Sequence, residues 1–155
     1  MRKVTYTTQV DDDVDYPHDE FATLVQVYLA DPNGWEAHGY SFKMVKKNPH
    51  VTIHLTSPKN IVEVCGLPND LSCAIVGGDV MYLNAARWMH GAPKSGQKLD
   101  GYRQYMVSHE MGHILGHEHA KCPGRGQPAP IMMQQTLGLK GCEPNTHVTK
   151  SDLKV

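Results

Sequence analysis

Residues 109–119, HEMGHILGHEH, place four histidines and two glutamates within eleven positions. Residues four apart share one face of a helix, so His109 and His113 project together, about 6 Å apart along the axis. Two imidazoles in this arrangement can bind one Zn²⁺ at roughly 2.0–2.1 Å. Glu110 is rotated by ~100° from His109, which directs its carboxylate towards a metal-activated water. H-E-x-x-H on a helix therefore predicts a zinc hydrolase site with Glu110 as general base.

A catalytic zinc usually takes three protein ligands and keeps one position for water. His117 continues the spacing, but on a straight helix it lies ~12 Å from His109, too far to share one ion. Gly116 can adopt a positive φ and end the helix, so that His119 returns to the metal. The predicted site consists of one catalytic residue and three ligands of a Zn²⁺ cofactor: Glu110, His109, His113 and His119. A histidine-rich surface helix is the alternative.

Two polar residues on the bend, His117 and Glu118, remain outside the predicted ligand set. Exposure to solvent is the simpler interpretation of both. The functional alternative is that they orient a metal ligand, since metal-bound imidazoles commonly have such a partner.

Apolar spacing elsewhere in the chain predicts the elements that must position this cluster. Alternating apolar residues indicate strands, and apolar residues at i, i+3 and i+4 indicate helices. Strands are predicted at residues 2–10, 41–47, 51–57, 61–65 and 80–83. Helices are predicted from Pro17 to the stop signal at 31–34, and over residues 102–116, with 85–101 as loop. Because the chain is turn-rich after Gly116, we predict an α/β (α+β) domain with a small irregular C-terminal lobe.

The composition of the whole chain limits its class and its partners. A length of 155 residues fits one domain, and 40% hydrophobic with 20% charged residues indicates a globular fold. A formal net charge of -1 gives no electrostatic reason to expect nucleic acid or an anionic membrane as partner. No stretch approaches the ~20 apolar residues of a membrane span. The predicted partner is a protein or peptide substrate, and the oligomeric state stays open.

Four cysteines, two on each side of the histidine cluster, suggest two local disulfides. The spacing favours Cys65–Cys73 and Cys122–Cys142, but four cysteines allow three pairings, and four buried thiols are an alternative. Disulfides would indicate an extracellular or other oxidising compartment. The N-terminal stretch MRKVTYTTQVDDD has no apolar segment of the signal-peptide type.

The motif His109-Glu110-x-x-His113-x-x-Gly116-x-x-His119, followed by PAPIMMQQT, resembles that of the metzincin zinc endopeptidases. That clan carries a methionine in a tight turn beneath the zinc. The resemblance assigns this role to Met132, with Met133 as the second choice, whereas adjacent methionines can also simply fill a core.

A closer similarity extends over roughly residues 50–146. The chain is similar there to a family of predicted secreted, metzincin-like proteins of unknown substrate, related in general pattern to the snapalysins. The shared elements are the four cysteines, the segment NAARW (84–88) and the pair YR before the active-site helix. This resemblance implies both local disulfides. It also implies a twisted mixed sheet, a backing helix, an active-site helix and a short C-terminal subdomain. Family members look exported, whereas this chain shows no export signal.

These observations together predict a zinc-dependent endopeptidase. Residues 1–155 are expected to form one metzincin-like catalytic domain, with an upper subdomain of about 1–116 and a lower one of about 117–155. Substrate is expected to extend along a sheet edge, at residues 61–65 or 73–77. The alternatives are a zinc hydrolase of cell-wall peptide amides, a non-catalytic zinc-stabilised binding or structural protein, and a secreted toxin or virion component that acts after processing.

The sequence does not assign a second group that stabilises the oxyanion. Some metzincins place a tyrosine just after the methionine turn, where this chain has Gln134 and Gln135. Tyr82, Tyr102 and Tyr105 are candidates by proximity in the sequence, with core packing as the alternative role of each.

Overall fold

A computed structural model describes all residues, 1–155, and contains one five-stranded mixed sheet. The strands are β1 (Arg2–Val10), β2 (Tyr40–Met44), β3 (Val51–Thr56), β4 (Cys73–Ala74) and β5 (Val80–Asn84). Their order is β2-β1-β3-β5-β4, and every neighbouring pair is parallel except β4 with β5. The antiparallel strand β4 therefore forms one edge of the sheet. The predicted α/β class with a mixed sheet is confirmed.

One face of this sheet forms the main core. Parallel register places Tyr6 beside Val51, and Leu55 beside Leu83, and all four side chains are buried. Since side chains alternate across a strand, these residues share one face. Helices α1 (His18–Leu29) and α4 (Leu99–Ile114) cover that face, and their buried residues join the same cluster. The sheet thus supports α4, the helix that carries the histidine motif.

The prediction of a strand at residues 61–65 is wrong, because these residues belong to helix α2 (Pro58–Cys65). Ser57 caps this helix by accepting the Asn60 N–H at 3.2 Å, and Pro58 stands in its first turn. Gly66 ends it with a φ of 64°. The alternation of Val62 and Val64 is typical of a strand, but the caps at Ser57 and Gly66 stabilise a helix here.

The loop predicted at residues 85–101 is also partly wrong. Helix α3 (Ala85–His90) follows β5 directly, because the Asn84 side chain accepts the N–H groups of Ala86 and Arg87 at 2.9 and 3.4 Å. A 3₁₀ turn follows at Pro93–Ser95, and α4 begins at Leu99 instead of residue 102. The Asn84 cap was missed because NAARW carries no apolar helical period.

The segments NAARW and YR meet at Trp88, which is fully buried. The Arg103 guanidinium lies 5.0 Å from the centre of the Trp88 ring, and its Nε donates to the Trp88 carbonyl at 2.6 Å. Phe21 of α1 packs edge-on against the same ring at 5.0 Å. Cation–π and edge-on aromatic contacts at this point join α1, α3 and α4.

Residues 117–155 contain no α-helix and no named strand, as predicted. Two 3₁₀ turns, Gln135–Leu137 and Asp152–Lys154, are the regular elements of this segment. The division of the chain into upper and lower subdomains stays a prediction. Among the helices of the fold, none combines the length and the apolar character that crossing a bilayer requires.

Both local disulfides are formed, which confirms the predicted pairing. Cys65–Cys73 joins the end of α2 to β4, and Cys122–Cys142 closes a loop within the irregular C-terminal segment. No cysteine is left free. Two disulfides in a chain of this size indicate an oxidising compartment.

The two disulfides are expected to contribute unequally to stability. Replacing Cys122 and Cys142 by alanine should lower the free energy of unfolding by about 3.3 kcal/mol, since that bond spans 20 residues. Replacing Cys65 and Cys73 should lower it by about 2.5 kcal/mol, since that bond spans 8 residues. Denaturant titration of both double variants measures this order. A larger loss from the shorter loop would contradict the chain-entropy origin.

Candidate metal centre

Three histidines converge at the C-terminal end of α4. Each of His109, His113 and His119 offers a ring nitrogen, and these atoms all lie within 4.8 Å of one another. The Nε2 atoms of His113 and His119 are 3.1 Å apart, and the rings of His109 and His119 are separated by 5.3 Å. The structure therefore brings together the three histidines that the spacing predicts as ligands.

The bend that returns His119 to the cluster lies at Gly116, as predicted. Helix α4 ends at Ile114, and Gly116 has a φ of 103°. The Gly116 N–H donates to the His113 carbonyl at 3.0 Å, and the His117 N–H donates to the Gly112 carbonyl at 2.9 Å. These two bonds form a Schellman motif, which ends a helix and reverses the chain.

Backbone carbonyls fix the orientation of two of the rings. His109 Nδ1 lies 2.6 Å from the Ile131 carbonyl, and His113 Nδ1 lies 2.8 Å from the His117 carbonyl. Because a carbonyl only accepts hydrogen bonds, each Nδ1 carries the proton and each Nε2 keeps its lone pair. Both Nε2 lone pairs are therefore available to a metal ion.

The protonation equilibria of the three rings favour the neutral form. Burial, and to a smaller extent the charge of the neighbouring His113, lowers the pKa of His109 to about 3. Burial is also the largest cause of the lowered pKa values of His113 and His119. Neutral imidazole is the form that binds metals, and three such nitrogens suit first-row transition ions. The donor set thus fits a metal ion with three protein ligands.

Glu110 lies beside the histidines and is 4% exposed. Its Oε1 is 4.0 Å from His113 Nε2, and burial raises the pKa of its carboxyl to about 8. A cation nearby would counteract this rise, because opposite charge favours the ionised carboxylate. The arrangement places a group able to take up a proton next to the three ligand nitrogens.

The methionine segment lies directly beneath α4. Met132 is fully buried, and a Cβ built on Gly112 would overlap its Sδ atom. Met133 instead packs in a separate small cluster with Ala129 and Cys142. Of the two methionines, Met132 therefore occupies the position under the histidines. Gly112, a glycine inside the helix, is the sequence signal for this close approach, and it stands at one of the unspecified positions of the H-E-x-x-H motif.

A buried carboxylate holds the turn that contains Met132. Asp152 is fully buried and accepts the N–H groups of Ile131 and Met132 at 3.0 and 2.7 Å. It also accepts the N–H and the hydroxyl of Thr149. The Ile131 carbonyl accepts a hydrogen bond from His109 Nδ1. Asp152 therefore helps to fix the orientation of the His109 ring through the backbone of Ile131. No local pattern around residue 152 predicts this role.

Tyrosines do not complete the site in the way the sequence suggested. Tyr82 stacks on His54, on the sheet face opposite the core, so its candidate role as oxyanion stabiliser is wrong. Tyr105 donates to the Met133 carbonyl at 3.1 Å, and the Tyr102 hydroxyl lies 2.8 Å from Thr136 Oγ1. Burial raises the pKa of both tyrosines. They line the site, but their hydroxyls already have protein partners.

His117 and Glu118 have different surroundings. The His117 ring stacks on Trp35 at 4.7 Å, and its Nδ1 lies 2.9 Å from the Val155 carbonyl, so the ring is occupied away from the three ligand nitrogens. Glu118 is exposed and opposes the lowered pKa values of His113 and His119 through its charge.

The histidines open into a cleft of about 330 Å³. One wall is α4, with Tyr102, Tyr105 and Met106, and the other includes Leu71 and strand β4. The edge of the sheet thus lies across the cleft from the ligand helix.

The fold and the site define a mixed α/β domain with a three-histidine centre in an open cleft. Residues 1–152 match the family described as "Protein of unknown function (DUF3152)", and the chain belongs to that family. No curated protein sequence matches the chain. A solved chain titled "Structure of Myroilysin" is similar at 17% identity and a TM-score of 0.48, over 81% of this chain and 46% of that chain. This chain therefore spans less than half of that protein.

Replacing Gly112 by alanine is expected to disturb the metal centre without changing any ligand. The added Cβ would overlap Met132 Sδ and lie 2.7 Å from Trp35 Cζ2. We expect unfolding free energy to fall by about 1–3 kcal/mol, as for overpacked cores, and metal affinity to fall with it. Gly101→Ala in the same helix is the control, since its Cβ would meet the mobile end of Gln97. Equal effects of both variants in thermal unfolding would contradict the close-packing role.

The choice of third ligand is tested by two single variants. His119→Ala should lower Zn²⁺ affinity by more than the 10–100-fold that loss of an outer partner causes. His117→Ala should change it by less than about tenfold, because the His117 backbone carbonyl, which the variant keeps, is what contacts His113. Competition with a chromophoric chelator measures both affinities. Similar losses in the two variants would show that the third ligand is misassigned.

Proposed function

We propose that this protein is a zinc-dependent endopeptidase of the metzincin type, acting outside the cell or in another oxidising compartment. The observation that carries the proposal is the convergence of three neutral imidazoles with a buried glutamate in one open cleft. The order of these residues, His-Glu-x-x-His-x-x-Gly-x-x-His, is the motif through which the chain resembles that clan.

His109, His113 and His119 would hold the Zn²⁺ ion. The bound ion would supply Lewis acidity, which polarises a carbonyl oxygen and acidifies water. Glu110 takes the proton of the attacking water and transfers it to the leaving amine as the peptide bond breaks. Burial raises the pKa of this carboxyl, and a bound cation would oppose that rise, so the two effects together would suit a group that first accepts and then donates a proton.

Strand β4 is the element that would align the substrate. Of the two edges expected to bind an extended peptide, residues 61–65 are helical, which leaves the segment beginning at Cys73. Cys73 and Ala74 both line the cleft, and β4 has a strand partner on one side. A peptide laid beside the other side of β4 would gain backbone hydrogen bonds while its scissile bond faces the histidines.

A purely structural role for the metal fits this site less well. Structural zinc sites are closed by four protein ligands, whereas three histidines converge here. All four cysteines are engaged in disulfides and offer no thiolate as a fourth ligand. Hydrolysis of an amide in cell-wall peptide would use the same three histidines and the same glutamate. Substrate profiling distinguishes this activity from hydrolysis of a protein substrate.

Glu110→Gln should abolish hydrolysis while the protein keeps its zinc. We expect activity to fall by about 10²–10⁴-fold, because a general base contributes on that order. The assay is mass spectrometry of a peptide library and of cell-wall peptide fragments, with and without a chelator. Glu118→Gln is the matched control, since this exposed carboxylate lies in the same cleft but has no role in proton transfer. Full activity of Glu110→Gln, or cleavage that survives the chelator, would refute the proposal.

A further inference from the structure

The loop between α2 and β4, residues 66–72, forms the wall of the cleft that faces α4. We name these residues the cleft loop. Leu67, Leu71 and Ser72 line the cleft from this side, opposite Tyr102 and Met106. A substrate side chain that enters the cleft would therefore lie between the cleft loop and the ligand helix.

The cleft loop has little internal structure to fix its position. A single backbone hydrogen bond, from the Leu71 N–H to the Pro68 carbonyl at 3.3 Å, lies within it. Neither Leu67 nor Leu71 belongs to the hydrophobic clusters of the fold. Apolar packing in the core therefore does not hold this wall in place, and its position must be set by hydrogen bonds and by the covalent bond that flanks it.

Asn84, at the end of β5, supplies the main anchor. It is fully buried, and its Nδ2 donates to the carbonyls of Asn69 and Leu71 at 2.8 and 3.1 Å. Its backbone N–H donates to Ser72 Oγ at 2.9 Å. The remaining oxygen, Oδ1, caps α3. One side chain thus ties the cleft loop to the central sheet and the start of a helix.

Arg87 and a disulfide add two further anchors. Arg87 Nε donates to the Asp70 carbonyl at 2.9 Å, and its guanidinium lies 3.6 Å from the Asp70 carboxylate. Cys65–Cys73 joins the residues on either side of the cleft loop. Every residue from 69 to 72 is therefore bonded to Asn84 or Arg87 through its backbone or its side chain.

We propose that the cleft loop selects an apolar substrate side chain, and that Asn84 and Arg87 are positioning residues for this selection. The selectivity follows from Leu67 and Leu71, which line the cleft. An apolar substrate side chain buries apolar surface against these two leucines and is stabilised by it, whereas a small or charged side chain is not. This inference rests on the proposed peptidase function, whose substrate class it specifies.

Asn84→Asp is a nearly isosteric test of the anchor. The variant keeps the oxygen that caps α3, but it loses both N–H donors and places a carboxylate oxygen against two carbonyls. Asn60→Asp is the matched control, because Asn60 Nδ2 also donates to an acceptor, Thr56 Oγ1, without contact to the cleft loop. Arg87→Gln removes the contacts of the guanidinium with the Asp70 carbonyl and carboxylate and leaves the Asn84 anchor intact. It replaces Asn84→Asp as the test variant if Asn84→Asp does not fold.

The first readout is the ratio of kcat/KM for two peptides that differ in one leucine-to-glycine replacement beside the scissile bond. We expect the native protein and Asn60→Asp to prefer leucine by about tenfold or more. Asn84→Asp should lower this ratio at least fivefold, with unchanged zinc content, and Arg87→Gln should lower it less. An unchanged ratio with uniformly lower rates would show a merely structural role and overturn the inference.

The second readout needs no hydrolysis. Zinc-loaded Glu110→Gln protein, with and without Asn84→Asp, is titrated with two peptide hydroxamates that carry a leucine or a glycine side chain. Preference for leucine that disappears with Asn84→Asp supports the selective wall even if the native protein cleaves no peptide, an outcome that refutes the peptidase proposal alone. Equal binding of both hydroxamates by the native cleft overturns the inference even if peptides are cleaved.

Discussion

The reversal of the chain at Gly116 is the constraint on which the histidine centre depends. A residue with a side chain pays a steric penalty at a φ of 103°, and glycine does not. The two hydrogen bonds of the Schellman motif then satisfy carbonyls at the end of α4 and direct the chain back along it. Without this turn, His119 would continue away from His109, and two ligands would remain.

Backbone carbonyls of the irregular C-terminal segment turn this reversal into a defined geometry. The Ile131 and His117 carbonyls orient the rings of His109 and His113, and both carbonyls lie outside α4. Asp152 fixes the backbone at Ile131 by accepting two adjacent N–H groups. The ligand geometry is therefore set jointly by one regular helix and by a segment whose shape comes from buried polar contacts.

The features that follow from local spacing could be predicted, and those that depend on distant partners could not. The helical period places His109, Glu110 and His113 on neighbouring faces of α4, and Gly116 marks the bend. These residues could therefore be predicted from local spacing, without knowledge of the tertiary structure. Helix α2 was misread because two exposed valines imitate strand alternation, while Ser57 and Gly66 at its ends determine the helix. The roles of Asp152 and Asn84 at the site could not be assigned, because the backbone and hydroxyl groups that they bond there belong to residues 12 to 21 positions away.

Asp152 and Asn84 use the same physical device on opposite sides of the cleft. Each is a fully buried polar side chain that fixes a segment without regular structure by bonding several of its backbone or hydroxyl groups. Burial makes each bond expensive to leave unmade, so the segment has few alternative positions. Asp152 fixes the turn beneath the ligands, and Asn84 fixes the wall opposite them. The geometry of the three histidines and the shape of the cleft therefore depend on separate anchors, which lets one vary while the other is kept.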